Sequence, residues 1–188
     1  MQAKGGYQGR FLNVNLSTGA ITDLPLDDDL VAGYIGGKGF GARLLYDMAE
    51  PRSDPLDPAN PLLFMPGPLT GTLAPSMREA IVFKSPLTGI YGDSYHGGLF
   101  GPEIKYAGYD GLIITGRASA PCYLYINDDQ VEIREAGFLW GLDTYQTYDR
   151  LYQELGDRSF QLACIGPAGE NLVRFALIDA SPHRQAGR

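Results

Sequence analysis

Glycine and proline interrupt this chain so often that the apolar runs between them are long enough for strands but rarely for helices. Residues 62–65, 80–83 and 111–114 are such runs, short, apolar and closed at both ends by Gly, Pro or polar residues, the pattern of buried strands. Glycine contributes 25 of the 188 residues and proline 13. That excess favours tight turns and close backbone approaches over long helices.

The rest of the chain divides on the same logic. Residues 10–26 read as a hairpin, with apolar Phe11, Leu12, Val14 and Leu16 before the turn at residues 17–20 and Ile21, Leu24 and Leu26 after it. Asp27, Asp28 and Asp29 suit a helix N-terminus. That helix should run through Tyr34 and be broken by the glycines of residues 36–41, with a second helix over 42–48. Residues 122–134 form another hairpin pattern. Residues 144–155 follow as a helix, with Tyr148, Leu151, Tyr152 and Leu155 at i, i+3, i+4 and i+7. Hairpin-then-helix thus occurs twice, and Gly67-Pro68-Leu69-Thr70-Gly71 is echoed by Ser85-Pro86-Leu87-Thr88-Gly89. The expectation is one α+β, β-rich domain over residues 1–188, built of two pseudo-equivalent hairpin-plus-helix halves, with further strands at 160–165 and 173–178.

Charge and cysteine usage narrow the partners. The formal net charge is -7 with no basic run, which argues against nucleic acid and for a small molecule, a metal cofactor or another protein. No segment has the length or apolarity of a signal peptide or membrane span, so the expected location is cytoplasmic. Cys122 and Cys164 each sit in an apolar run with no second cysteine at ligand spacing, and read as buried reduced thiols.

Among polar motifs, residues 36–41 match neither a Walker loop nor a dinucleotide fingerprint and read as a tight turn between packed helices. The glycines at 97, 98 and 101 follow a polar loop at 92–96; a structural turn and an anion-binding loop are equally open there. Arg78 precedes a buried strand and either lies on the surface or aims a guanidinium fork at phosphate. Arg184 and Arg188 flank small residues, as a phosphate clamp or a solvated tail would. His96 and His183 both fall in loops. No nucleophile–base set, paired carboxylates or metal-ligand cluster is present, so no catalytic or metal-binding residue is assigned.

Taken together, six ordered stretches are specific: residues 9–19, 67–72, 84–89, 97–110, 165–173 and 183–188. Through them the chain resembles the aldehyde ferredoxin oxidoreductase family from Gly9 to Arg188. The resemblance implies an N-terminal domain that serves as the base for a tungsten or molybdenum bis-pterin cofactor. It implies oxidation of aldehydes to carboxylic acids, with electrons leaving through a [4Fe–4S] cluster to a ferredoxin-like acceptor. It assigns pterin binding to Arg78, Tyr95, Gly97, Arg184, Gln185, Gly187 and Arg188. Tyr95 and His96 stand where the family often has Asn-Ser, and Gln185 where it favours a small residue. Cluster ligands are absent from this chain. It is therefore expected to be the truncated N-terminal part of the enzyme, inactive alone, with the remaining domains or a split subunit as partner and a homodimer open. The rival reading is a non-catalytic binding or assembly module derived from the family.

Overall fold

The apolar runs assemble into one mixed sheet of six strands. In chain order the strands are Arg10–Asn15 (β1), Ala20–Pro25 (β2), Leu62–Pro66 (β3), Glu79–Lys84 (β4), Tyr91–His96 (β5) and Leu112–Thr115 (β6). Their spatial order is β2-β1-β6-β3-β4-β5, antiparallel throughout except for the parallel β1–β6 pair. These facts come from a computed structural model, which describes residues 5–180 and 184–187.

The strand pleat sorts side chains onto two buried faces. Phe11, Leu63, Met65, Ala80, Val82 and Ile113 face helices Asp28–Tyr34 (α1) and Lys38–Met48 (α2), with Phe40 and Leu45 of α2 in the same cluster. Leu12, Val14, Phe64, Ile81 and Leu112 face the other way, onto Ile104 of helix Phe100–Tyr106 (α3) and Tyr109. Asp27 caps α1 by accepting from the Asp29 N–H at 2.9 Å, as the acidic run suggests. The chain resumes helix at Lys38, earlier than the glycine-rich motif suggests. Gly39 and Gly41 lie inside α2 because the helix presses on its neighbours. A Cβ at Gly41 would stand 2.6 Å from Val82 Cγ2.

The second part is smaller. Strands Cys122–Asn127 (β7) and Gln130–Glu135 (β8) form a separate two-stranded sheet. Thr144–Leu155 (α4) follows, started by an Asp143–Gln146 capping box and stopped by Gly156 in left-handed conformation. Ala163–Cys164 (β9), the single turn Pro167–Glu170 (α5), Asp179–Ala180 (β10) and Arg184–Gln185 (β11) complete the elements, with sheet order β11-β10-β9.

The α+β class is as expected, and a hairpin followed by helix does occur in both expected segments. The resemblance of the halves ends with that order, since one hairpin belongs to the large sheet and the other stands apart. Several local expectations need correction. Residues 92–96 are not a loop but most of β5. Residues 160–165 carry only the short β9, and 173–178 carry no strand. Both segments have the apolarity of strands, but they do not enter the main sheet, whose β5 edge neighbour is the far end of the chain. Both cysteines are free but only partly buried.

Candidate functional site

The candidate site forms where the β4–β5 end of the sheet meets the chain's last described residues. The β4–β5 register sets Glu79 opposite His96, so Arg78 and Gly97 are the next residues along the two strands. Arg78 is exposed, and its carbonyl accepts from the Thr70 hydroxyl at 3.2 Å. That bond ties the strand start to the 67–71 turn and leaves the guanidinium on the surface side.

The arm beyond β10 closes on the same place. β11 pairs with β10, Arg184 opposite Ala180 and Gln185 opposite Asp179. Gly187 then exchanges both backbone hydrogen bonds with Tyr95, at 2.6 Å and 3.1 Å. Arg184 Nη1 comes within 4.0 Å of where a Cβ on Gly97 would stand. Four of the residues singled out from the sequence, Tyr95, Gly97, Arg184 and Gly187, are thereby brought together, with Arg78 flanking them. Gln185 is exposed on β11. His183 and Arg188 lie outside the described residues.

Such an arrangement suits an anion. The guanidinium provides a charged fork, and the bare Cα positions of Gly97 and Gly187 let a ligand approach the backbone. The residues present therefore fit a phosphate-bearing cofactor. Lys38 adds a cation not anticipated from sequence. Its ammonium lies 5.9 Å from the Tyr95 ring centroid, and hydrogen bonding to the Tyr95 hydroxyl, then the Asp93 charge, raise its pKa. The available signal was the helix boundary: once α2 starts at Lys38, that side chain faces the end of β5.

Beneath the site lies a buried pair that the sequence reading missed. His96 is 1% exposed and Glu79 2%, and His96 Nδ1 faces Glu79 Oε1 at 3.2 Å. Burial pushes the Glu79 carboxyl above the usual range, against the opposing effect of the histidine contact. Elsewhere, an apolar cleft of about 860 Å³ lies between the second face of the sheet and the β7–β8 and α4 region, lined by Phe64, Phe100, Leu112, Leu124, Phe160 and Leu162. It includes none of Arg78, Tyr95, Gly97 or Arg184. Among the described residues no group of three or more His, Cys, Asp or Glu could hold a metal ion, and no helix is long and apolar enough to cross a membrane.

The family model for the aldehyde ferredoxin oxidoreductase N-terminal domain matches residues 11–188. The chain belongs to the aldehyde ferredoxin oxidoreductase family. It is 46% identical over 184 residues to the tungsten-containing aldehyde ferredoxin oxidoreductase of Pyrococcus horikoshii, covering 97% of this chain and 30% of that protein. It is 37% identical to an aliphatic sulfonate oxidoreductase, WOR-like subunit, of Pyrococcus furiosus, covering 96% of this chain and 31% of that one. In structure it is similar to the active site complex BamBC of benzoyl coenzyme A reductase in complex with 1,5 dienoyl-CoA. The TM-score there is 0.94 at 38% identity, over 97% of this chain and 28% of that one. The chain thus spans about a third of the length of these relatives, all oxidoreductases or part of one. The aldehyde ferredoxin oxidoreductase fold carries Arg78, the Gly97 loop and the Arg184 arm to one end of its sheet.

Proposed function

We infer that this chain is the N-terminal cofactor base of an aldehyde-oxidising oxidoreductase and binds the phosphates of a tungsten or molybdenum pterin cofactor. The observation that carries this reading is the approach of Arg184 to Gly97, which brings together two glycine-containing runs far apart in sequence. Arg78, Arg184 and Arg188 would hold phosphate oxygens as charge-assisted forks, with Lys38 nearby. Tyr95, Gly97, Gln185 and Gly187 would contribute through backbone or hydroxyl contacts. The bound metal supplies the two-electron chemistry that turns an aldehyde and water into a carboxylic acid; this chain's part is orientation and charge.

Electrons would leave through a [4Fe–4S] cluster to a ferredoxin-like acceptor, with ligands from other domains or a split subunit. A cluster normally takes about four cysteine thiolates. Cys122 and Cys164 are partly buried, and burial raises both thiol pKa values, the opposite of what a metal-ligating thiolate needs. The relatives' names support the choice of tungsten and of an aldehyde substrate.

Arg78→Ala in the whole enzyme should cut metal and pterin content roughly tenfold or more, matching about 1.5–3 kcal/mol for one charge-assisted contact. Elemental analysis and pterin fluorescence after purification read this directly. Unchanged cofactor content in both Arg78→Ala and Arg184→Ala would remove these arginines from the site and the reading with them.

A further inference from the structure

A histidine and a glutamate enclosed in an apolar layer are an expensive way to fill space. Well-packed apolar residues of the same volume would often serve stability as well or better. Phe100 closes one side of His96, ring edge to face at 6.3 Å and 81°. Glu79 Oε2 has no partner among the described residues. The pair therefore needs a reason other than stability, and its contacts supply one.

His96 Nε2 lies 3.0 Å from the Ala180 carbonyl oxygen. A carbonyl can only accept, so Nε2 must carry a proton and donate it. At Nδ1, one proton shared with Glu79 Oε1 satisfies the contact whichever partner holds it. Both arrangements keep the Nε2–H on Ala180, and Glu79 fixes the ring's orientation.

Ala180 belongs to β10, opposite Arg184. The neighbouring residue of β5, Tyr95, holds the same arm further along, through both backbone bonds to Gly187. Consecutive residues of β5 thus hold the arm at its root and near its end: His96 by its ring at Ala180 of β10 and Tyr95 by its backbone at Gly187. Arg184 and Gln185 lie between those two points. β10 and β11 are short and their own ladder is too brief to fix the arm alone.

We propose that His96, oriented by Glu79, is a positioning residue: its Nε2–H bond to Ala180 locks the arm against β5 and sets Arg184 beside Gly97. The consequence for cofactor rests on the phosphate-binding reading above; the locking itself does not.

Amide hydrogen exchange on the whole protein, without added cofactor, tests the lock. Asparagine places its amide nitrogen near the Nδ1 position of histidine and glutamine near the Nε2 position. His96→Gln can still donate to Ala180, and His96→Asn cannot reach it. His96→Asn should speed exchange of the Ala186 and Gly187 amides about tenfold or more, as loss of one buried hydrogen bond implies, while His96→Gln should stay within about threefold of the parent. Amides of β3 and β4 should be unaffected relative to global stability in both. Equal loss in Asn and Gln variants would show that the ring merely fills space, and full protection in His96→Asn would show that the arm holds itself; either overturns the proposal.

A measurement on the unsubstituted protein guards against variants that fail to fold. The imidazole ¹⁵N–¹H signal of His96 should show a slowly exchanging proton on Nε2, retained in Glu79→Gln. Its absence from the folded parent protein also overturns the proposal. Loss of arm protection in His96→Asn together with unchanged cofactor content in both Arg78→Ala and Arg184→Ala would uphold the lock and sink the functional reading instead.

Discussion

The hairpins β1–β2 and β7–β8 are built alike, yet their first strands are buried very differently. Each pairs two six-residue strands antiparallel around a tight turn. In β1, Phe11, Leu12 and Val14 are 1%, 1% and 0% exposed. In β7 no residue is fully buried. The local sequence does not make this difference; β6 does. It lies parallel to β1 and draws that strand into a sheet covered on both faces, with β2 left at the exposed edge, whereas β7–β8 keeps to itself. Leu124 and Ile126 pack toward the sheet, Tyr123 toward Leu139 and Leu151, and the cleft of about 860 Å³ remains alongside. A hairpin with few buried contacts is stabilised by neighbours rather than by its own ladder, so the β7–β8 region should be the softer half.

Truncating a side chain in each hairpin gives the largest test. Phe11 packs edge-on against Phe40 at 5.8 Å in a closed layer that cannot collapse around a hole. Phe11→Ala should cost about 3–5 kcal/mol of unfolding free energy. Ile126→Ala, at a half-buried position beside open space, should cost about 1–2 kcal/mol. Denaturant midpoints at constant m-value measure both. Comparable losses would mean that the second hairpin is as tightly built as the first, and the contrast would collapse.

Glycine substitutions sharpen the contrast at the next level. In the first region a Cβ on Gly41 would meet Val82 side-chain atoms at 2.6 Å and 2.9 Å, and Val82 is fully enclosed. Gly41→Ala should therefore cost about 1–3 kcal/mol despite alanine's better helix propensity. In the second region a Cβ on Gly166 would find its nearest neighbour, Thr144 Cγ2, at 3.4 Å, ordinary contact, on an extended backbone. Gly166→Ala should change stability by less than about 0.5 kcal/mol.

The same contrast explains what could be read from sequence. β1, β3, β4 and β6 are apolar on both faces and stood out as runs; α4 announced itself through its apolar spacing. β5 was invisible because Tyr91, Gly92, Asp93, Ser94 and Tyr95 are polar or small, as a strand at the edge of the six-stranded sheet allows. α3 was hidden by the Gly101-Pro102 pair in its first turn. Residues 173–178 misled in the other direction, apolar without being strand, since Phe175 and Leu177 are largely exposed. For the site, the resemblance named residues that spacing could not join: only the fold sets Arg184 against Gly97. The Glu79–His96 pair lay beyond the sequence: the Ser85–Gly89 echo marks a turn, but taken alone it would set Glu79 opposite Tyr95, and only the observed register, Lys84 opposite Tyr91, brings Glu79 to His96.

Alkaline titration supplies the smallest and most local test. Cys164 in β9 is pushed up to about 12 by burial first and the Asp179 charge second, from an ordinary 9.0. In β5, burial foremost and the Asp93 and Tyr95 charges after it push Tyr91 up to about 12 from 10.0. For an acid whose pKa is raised by folding, the folded state holds its proton more tightly. The resulting stability is fully present below the unfolded pKa and is lost as pH rises to the folded one. That loss starts near pH 9 for Cys164 and near pH 10 for Tyr91. The second region should accordingly loosen first on alkaline titration. Thiol alkylation reads it residue by residue: with its pKa pushed up, little of Cys164 is thiolate at pH 8, so labelling of this partly buried thiol should be slow while the second region stays closed. Cys164 labelling should accelerate above pH 9, before tyrosine absorbance reports ionisation in the sheet, and Gly41→Ala should shift it less than Ile126→Ala does. Rapid labelling of Cys164 at pH 8, with the sheet amides still protected, would show the second region to be open already at that pH.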